Sequence, residues 1–186
     1  METIAYKKVK EAKGLQVGSI APDFSAVDLH DNVFNLGEAL KNGPVVIIFY
    51  RGQWCPFCNK HLKTLEQSLD KIYEKGASVV AVSPEKSEFL KRTADKTKAS
   101  FSLLFDEDYK IAEAFDLAFR PTKFERAIYN KILKADLKNA HSDESQQLPI
   151  PATFIIGKDG KITWRHFDPD YKKRSTVDDI VKNIPN

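Results

Sequence analysis

The sequence predicts an α/β protein built as a layered sandwich. Three observations predict it. Residues 44–50 ("PVVIIFY") and 77–83 ("ASVVAVS") are continuous apolar, β-branched runs, the pattern of strands buried on both faces. Each is followed by a helical segment with apolar positions on one face. Late in the chain, two apolar runs flank "GKDG" in residues 152–167, which reads as a hairpin. Strands and helices alternating at this spacing imply sheet and helix layers around one core.

The elements follow in order. Residues 1–16 are charged and predict a short helix or an arm. Residues 17–36 alternate apolar positions around the turn "HDN" and predict two short strands in a hairpin. "GEALKN" predicts a short helix ended by Gly43. After the first buried strand, a helix is expected from Pro56 to about Lys75, with Gly76 as its stop. Its apolar positions are Leu62, Leu65, Leu69, Ile72 and Tyr73, and Cys58, Leu62, Leu65, Leu69 and Ile72 follow the spacing of one helix face. The 77–83 strand comes next. A helix opened by Pro84 and acidic residues, the strand "FSLLFD" and the helix "EDYKIAEAFDL" then follow. Residues 120–150 are the least regular. Phe124, Ile128 and Ile132 stand four apart and predict an amphipathic helix, and "KNAHSDESQQ" a loop. After the late hairpin, "STVDDIVKNI" predicts a terminal helix capped by Ser175 or Thr176.

Bulk properties narrow the function. At 186 residues the chain suits one domain over residues 1–186, with no linker that would divide it. A net charge of +3 arises from lysines interleaved with acids, without the basic stripe of a nucleic-acid binder. The longest apolar run, 45–50, is far below membrane-spanning length, and no signal-peptide pattern opens the chain, so no membrane partner and a cytoplasmic location are expected. No Gly-rich phosphate loop or flavin fingerprint occurs, and no cofactor is expected. The acidic pairs Asp106–Asp108 and Asp178–Asp179 read as helix-start residues.

The chemistry concentrates in "YRGQWCPFCNKHL", residues 50–62, which holds both cysteines, Cys55 and Cys58. In a reducing compartment such a pair is catalytic or metal-binding more often than structural. Pro56 suits the first helical position and makes Cys55 the cap, where backbone amides and the helix dipole favour thiolate. Arg51 adds positive charge. Cys58 begins the buried leucine stripe. This reading makes Cys55 the exposed nucleophile and Cys58 the resolving thiol. The competing readings are two inert core residues and a zinc site extended by His61, for which a second ligand pair is missing. His30, His141 and His166 read as surface or loop histidines. Pro151, before the strand "TFII", is expected to be cis and to present backbone beside the disulfide. Trp54 either shields that disulfide or packs the loop. Arg120 in "FRP" reads as a loop ion-pair residue with a functional role left open.

These residues resemble the thioredoxin superfamily, and within it the peroxiredoxin-like alkyl hydroperoxide reductase and thiol-specific antioxidant (AhpC/TSA) branch. The resemblance runs from about Val17 to Phe167 and rests on "VGSIAPDFSAVDLHDNVFNL", "VVIIFYRGQWCPFC" and "TFIIGKDGKI". It implies a thioredoxin-like three-layer α/β/α sandwich with an N-terminal β-hairpin and a helical insertion before the late hairpin. It also implies thiol-based reduction of peroxides or disulfides. The motif departs from the family pattern Pro-x-x-x-Thr/Ser-x-x-Cys. Arg51 stands at the proline, Cys55 at the threonine and Cys58 at the peroxidatic cysteine, and Pro151 stands where an arginine is usual. "WCPFC" with Pro151 instead matches the thioredoxin pattern. Arg51 and Arg120 are the candidate donors to a peroxide.

Three readings follow. In the first, a thiol-disulfide oxidoreductase cycles the Cys55–Cys58 dithiol to reduce disulfides or oxidised thiols. In the second, a peroxidase uses Cys58 as peroxidatic and Cys55 as resolving cysteine. In the third, a redox sensor has the same pair and no turnover. Each enzymatic reading calls for a dithiol donor such as a thioredoxin-type protein and an oxidised thiol or peroxide substrate. A homodimer through a sheet edge or helix face is an open expectation.

Overall fold

A computed structural model describes residues 5–186. The first four residues of the expected N-terminal helix or arm lie outside them; residues 5–16 form an arm with a single turn.

A hairpin of β1 (Ser25–Val27) and β2 (Val33–Asn35) leads into α1 (Leu36–Leu40), whose cap Asn35 accepts the Glu38 N–H. The central sheet holds β3 (Val45–Phe49), β4 (Ser78–Ser83), β5 (Ser102–Phe105), β8 (Ala152–Ile156) and β9 (Ile162–Phe167), in spatial order β5-β4-β3-β8-β9. β3, β4 and β5 are parallel; β8 runs antiparallel to β3 and to β9. All five residues of β3 and of β8 are buried, as two-sided covering requires of such apolar runs. This mixed sheet with flanking helices is a thioredoxin-like fold.

Helices lie where the sequence placed them, with differences. The helix expected over 56–75 divides at Ser68, whose ψ of 19° leaves the helical range. α2 (Pro56–Gln67) and α3 (Leu69–Tyr73) result. The stripe survives the break, since Leu62, Leu65, Leu69 and Ile72 are all buried, but Tyr73 turns out to solvent. α4 (Ser87–Thr97) packs beside α2. A 3-10 turn at Glu107–Tyr109 precedes α5 (Lys110–Ala114). β6 (Ala118–Phe119) and β7 (Leu148–Pro149) form a small ladder that composition did not announce. Between them lie α6 (Lys123–Lys131), opened by a capping box of Thr122 and Glu125, and α7 (Leu137–Ala140), which overlaps the start of the expected loop. α8 (Val177–Asn183) ends the chain, capped by Thr176.

The apolar spacing of α6 is misleading. Phe124 and Ile132 are 75% and 71% exposed, and the helix has no buried residue. It is held instead through Tyr129 and through Asn130, which bonds Gln146 and the Leu137 amide. His141 is buried rather than on the surface, with Nδ1 3.0 Å from the Tyr109 hydroxyl. Among the described residues, no helix is long and apolar enough to cross a membrane.

Strand direction gathers the functional residues at one edge. Phe49, the last residue of β3, pairs with Val82 near the end of β4 and with Ala152, the first residue of β8. Ala152 in turn pairs with Phe167, the last of β9. Segments leaving β3, β4 and β9 and the segment entering β8 therefore meet there. They carry Arg51 to Cys58, Glu85, Arg174 and Pro151. In open α/β sheets the carboxyl ends of parallel strands are where sites form.

Candidate active site

Cys55 caps α2 in extended conformation, and Pro56 occupies the first turn, where a missing N–H costs nothing. The Cys58 N–H donates to Cys55 Sγ at 3.3 Å. The expected cap is therefore present, but its expected consequence is not. Cys55 is as buried as Cys58, both sulfurs being closed to solvent. Burial pushes the Cys55 thiol well up, and its contact with the Cys58 sulfur and that sulfur's charge push it further; Arg51 only partly offsets them.

Cys58 goes the other way. Burial again disfavours the thiolate, but three things outweigh it: a hydrogen bond from the Cys55 thiol, the charge of Arg174, and the charge of Arg51. Arg174 Nη2 donates to Cys58 Sγ at 3.1 Å, and the Arg51 backbone N–H approaches it at 3.5 Å. Both shifts favour a thiolate at Cys58 over one at Cys55.

Arg51 is the hub around them. Its Nη2 donates to Cys55 Sγ at 3.4 Å and its Nη1 to the Tyr129 hydroxyl at 3.3 Å. The guanidinium lies against the rings of Tyr171 (4.0 Å), Trp54 (4.8 Å) and Tyr129 (5.2 Å), a cation held by π-faces. Trp54 is buried and stacks on Tyr129 with ring centres 4.9 Å apart, so it fixes Arg51 from below.

Beneath the loop lies Glu85, wholly buried at the end of β4. Its Oε2 accepts the Gln53 N–H at 2.9 Å, and its Oε1 has no partner among the described residues. Burial, and then the charge on Cys58, push its pKa up to about 8. Gly52 is required here, because a β-carbon would overlap the Glu85 carboxylate and the Trp54 indole.

The other predicted residues sort as follows. Pro151 joins Arg51, Tyr129 and Tyr171 around a cavity of about 220 Å³, but its peptide bond is trans, not cis. The reason is the extended approach: β7 is paired to β6, and the Ile150 N–H donates to Leu117 O, which delivers the chain straight into β8. Arg120 bonds Ser145 O and lies over Tyr6; among the described residues its contacts include neither sulfur and no carboxylate. His61 turns away from the sulfurs toward the Ser175 hydroxyl, 3.3 Å distant, so it does not extend the pair into a metal site.

Arg174, Tyr171, Tyr129 and Glu85 belong to this cluster and are not evident in the sequence. Arg174 arrives from a strap after β9, residues 168–176, anchored by Arg174 Nε on Tyr171 O and by Ser175 Oγ on Thr153 Oγ1. The one sequence signal is that "YKKRS" places a single arginine among lysines, and arginine is the side chain suited to fixed multipoint contact.

A dithiol at a helix N-terminus on this fold, flanked by the buried Arg51 and the half-buried Arg174, defines a thiol-based oxidoreductase. The particular family follows from comparison. The AhpC/TSA family model matches residues 17–165. Peroxiredoxin Bcp of Escherichia coli is 30% identical over 169 residues, which is 91% of this chain and 94% of that protein. The chloroplastic peroxiredoxin Q of Sedum lineare is 36% identical over 165 residues, 89% of this chain and 75% of that one. The crystal structure of peroxidoxin BcpB from Mycobacterium tuberculosis superposes with a TM-score of 0.69 at 21% identity, covering 91% and 96% of the two chains. The chain belongs to the AhpC/TSA family of peroxiredoxin-like proteins.

Proposed function

We propose that this protein is a thiol-dependent peroxidase in which Cys58 is the peroxidatic and Cys55 the resolving cysteine. The observation that carries the reading is the pair of donors on Cys58 Sγ, the Arg174 guanidinium and the Arg51 amide. It reverses the order expected from the helix cap. Kinship with peroxiredoxins Bcp and Q supports a peroxide substrate over a disulfide one. Arg174, in the segment after β9, takes the place of the arginine missing before Phe154.

The chemistry balances without a cofactor. Cys58 thiolate attacks the terminal peroxide oxygen; an S–O bond forms and the O–O bond breaks. Sulfur is oxidised by two electrons, and the leaving hydroxide or alkoxide takes a proton from solvent. Arg174 and Arg51 face the negative charge as it moves from sulfur to oxygen. The Cys55 thiol then condenses with the sulfenic acid, forming the Cys55–Cys58 disulfide and releasing water. Cys55 stays a thiol until that step, which suits a resolver whose pKa is raised. A thioredoxin-type dithiol protein returns the pair to the reduced state.

Dithiol-coupled loss of hydrogen peroxide tests this. Cys58→Ser is expected to abolish it. Cys55→Ser is expected to give one turnover, leaving Cys58 as sulfenic acid that a dimedone-type probe traps. Trapping instead on Cys55 in the Cys58→Ser protein would sink the assignment.

A further inference from the structure

Each sulfur of the pair has its own guanidinium. Arg174 Nη2 donates to Cys58 Sγ at 3.1 Å, and Arg51 Nη2 donates to Cys55 Sγ at 3.4 Å. The second contact falls on the sulfur that does not attack peroxide. Arg51 is nevertheless 3% exposed, and among the described residues it forms no salt bridge with a carboxylate. A buried cation without a counter-charge is strongly disfavoured. The negative charge that answers Arg51 is therefore that of the cysteine pair. Three aromatic rings and the Tyr129 hydroxyl hold its guanidinium against Cys55. Cys55 Sγ also accepts the Cys58 N–H at 3.3 Å, so two donors face it.

We propose that Arg51 is the catalytic residue of disulfide closure, stabilising Cys55 as a thiolate when it attacks oxidised Cys58, and that oxidation of Cys58 switches Cys55 on. The inference rests on the peroxidase reading and assigns the control of its second step. In the reduced pair the Cys55 thiol gives its hydrogen bond to Cys58, and the charge on Cys58 opposes a second charge beside it. Attack on peroxide sends that charge away with the hydroxide or alkoxide. Cys58 is then a sulfenic acid, and Arg51 acts on Cys55 unopposed. Other titratable groups nearby are engaged elsewhere: Arg174 on Cys58, Glu85 on the Gln53 amide, Tyr129 and Tyr171 on Arg51. Cys55 gives up its proton and its sulfur forms the S–S bond. The S–O bond of Cys58 breaks, and the departing hydroxide takes a proton to become water. The two-electron oxidation placed on Cys58 is then shared by both sulfurs, and no further oxidant enters.

Single-turnover mixing with hydrogen peroxide separates the two steps. Sulfenic acid formation scales with peroxide concentration, and closure does not. Quenched samples are read by mass spectrometry, with a dimedone-type probe for the sulfenic acid. Arg51→Gln is expected to slow closure about tenfold, the effect of losing one charge-assisted hydrogen bond, and to let sulfenic acid accumulate. Its first step, taken on the pH plateau, should stay within about threefold of wild type. Arg174→Gln should do the reverse. Arg51→Lys keeps the buried charge but loses the fork that reaches Cys55 and Tyr129 together. It should slow closure about threefold with the first step unchanged, and it decides alone if the glutamine protein does not fold. Closure at the wild-type rate in either folded variant, or equal slowing of both steps, overturns the proposal. A wild type that consumes no peroxide would defeat the peroxidase reading instead. Closure is then still measured after Cys58 is charged with thionitrobenzoate from the symmetrical aromatic disulfide. Cys55 displaces the coloured thiolate, and its release should show the same dependence on Arg51; release independent of Arg51 overturns the proposal there too.

Discussion

Arg174 and Cys58 stand 116 positions apart in the chain and 3.1 Å apart in space, guanidinium to sulfur. That contact places a fixed charge on the buried thiolate from an element that no local motif includes. Arg174→Gln keeps a hydrogen-bonding side chain and removes the charge. A charge-assisted hydrogen bond contributes about 1.5–3 kcal/mol, which corresponds to about one to two pH units on the sulfur. The pKa of Cys58, read from thiolate absorbance in the Cys55→Ser background, should rise by that amount. The pH profile of peroxide consumption should move up with it. An unchanged thiolate titration would remove Arg174 from the site.

Gly52 marks how tightly the loop beneath the cysteines is built. Its φ of 155° and the closeness of Glu85 and Trp54 leave no room for a methyl group. Gly52→Ala should destabilise the protein by about 1–3 kcal/mol through overpacking. Because Arg51 is the neighbouring residue, it should also lower activity in the molecules that remain folded. Urea unfolding and kcat at a permissive temperature measure the two separately.

How far the sequence foretold this site depends on the range of each interaction. The strand "VVIIFY", the cap at Cys55 and the stripe from Cys58 to Ile72 follow from neighbours a few residues away, and all are present. The difference between the two sulfurs does not. Helix-end geometry favours a thiolate at Cys55, but that is a local effect of about a kilocalorie. It loses to burial, to the hydrogen bond that the Cys55 thiol gives Cys58, and to the Arg174 guanidinium, whose position depends on the sheet's strand order. The spacing of Phe124, Ile128 and Ile132 predicted the helix α6 correctly and its packing wrongly. Periodicity reports only that an apolar face exists, not that something covers it.

Tyr171 packs against Arg51 at the outer side of the site. It sits 4.0 Å from the Arg51 guanidinium and edge-on to Phe57, with ring centres 5.6 Å apart. Both sulfurs are closed to solvent, and Tyr171 lies in the same strap that carries Arg174 against Cys58. A cation–π contact at a partly exposed site contributes about 1 kcal/mol. Tyr171→Ala should therefore speed alkylation of Cys58 by iodoacetamide about fivefold, with the thiolate titration little changed. Equal alkylation rates would show that reagent enters by another route.

Glu85 gives the protein a pH dependence whose sign can be worked out. Its carboxyl has an ordinary value of 4.5 and is pushed up to about 8, chiefly by burial. Between those values the folded state keeps a proton that the unfolded state releases. The folded state then binds more protons, so stability falls as pH rises. His61 and His141 act in the opposite sense. Burial lowers both to about 4, so they weaken the fold as pH drops from 6.5 toward 4. Asp106, raised to about 6 by burial, acts in the same sense as Glu85 up to about pH 7 and does so alike in both proteins compared below. Glu85→Gln isolates the carboxyl, since glutamine keeps an oxygen for the Gln53 amide and cannot ionise. The substituted protein should gain on the wild type steadily from pH 6.5 to 8, by up to about 1.4 kcal/mol per pH unit. The gain should stop above pH 8. In the Cys58→Ser background the same comparison should flatten at a lower pH, because the charge on Cys58 helps to hold the proton on Glu85. Parallel denaturation curves for the four proteins at several pH values make the measurement; a constant difference between Glu85→Gln and wild type across that range would mean that Glu85 is already ionised beneath the loop.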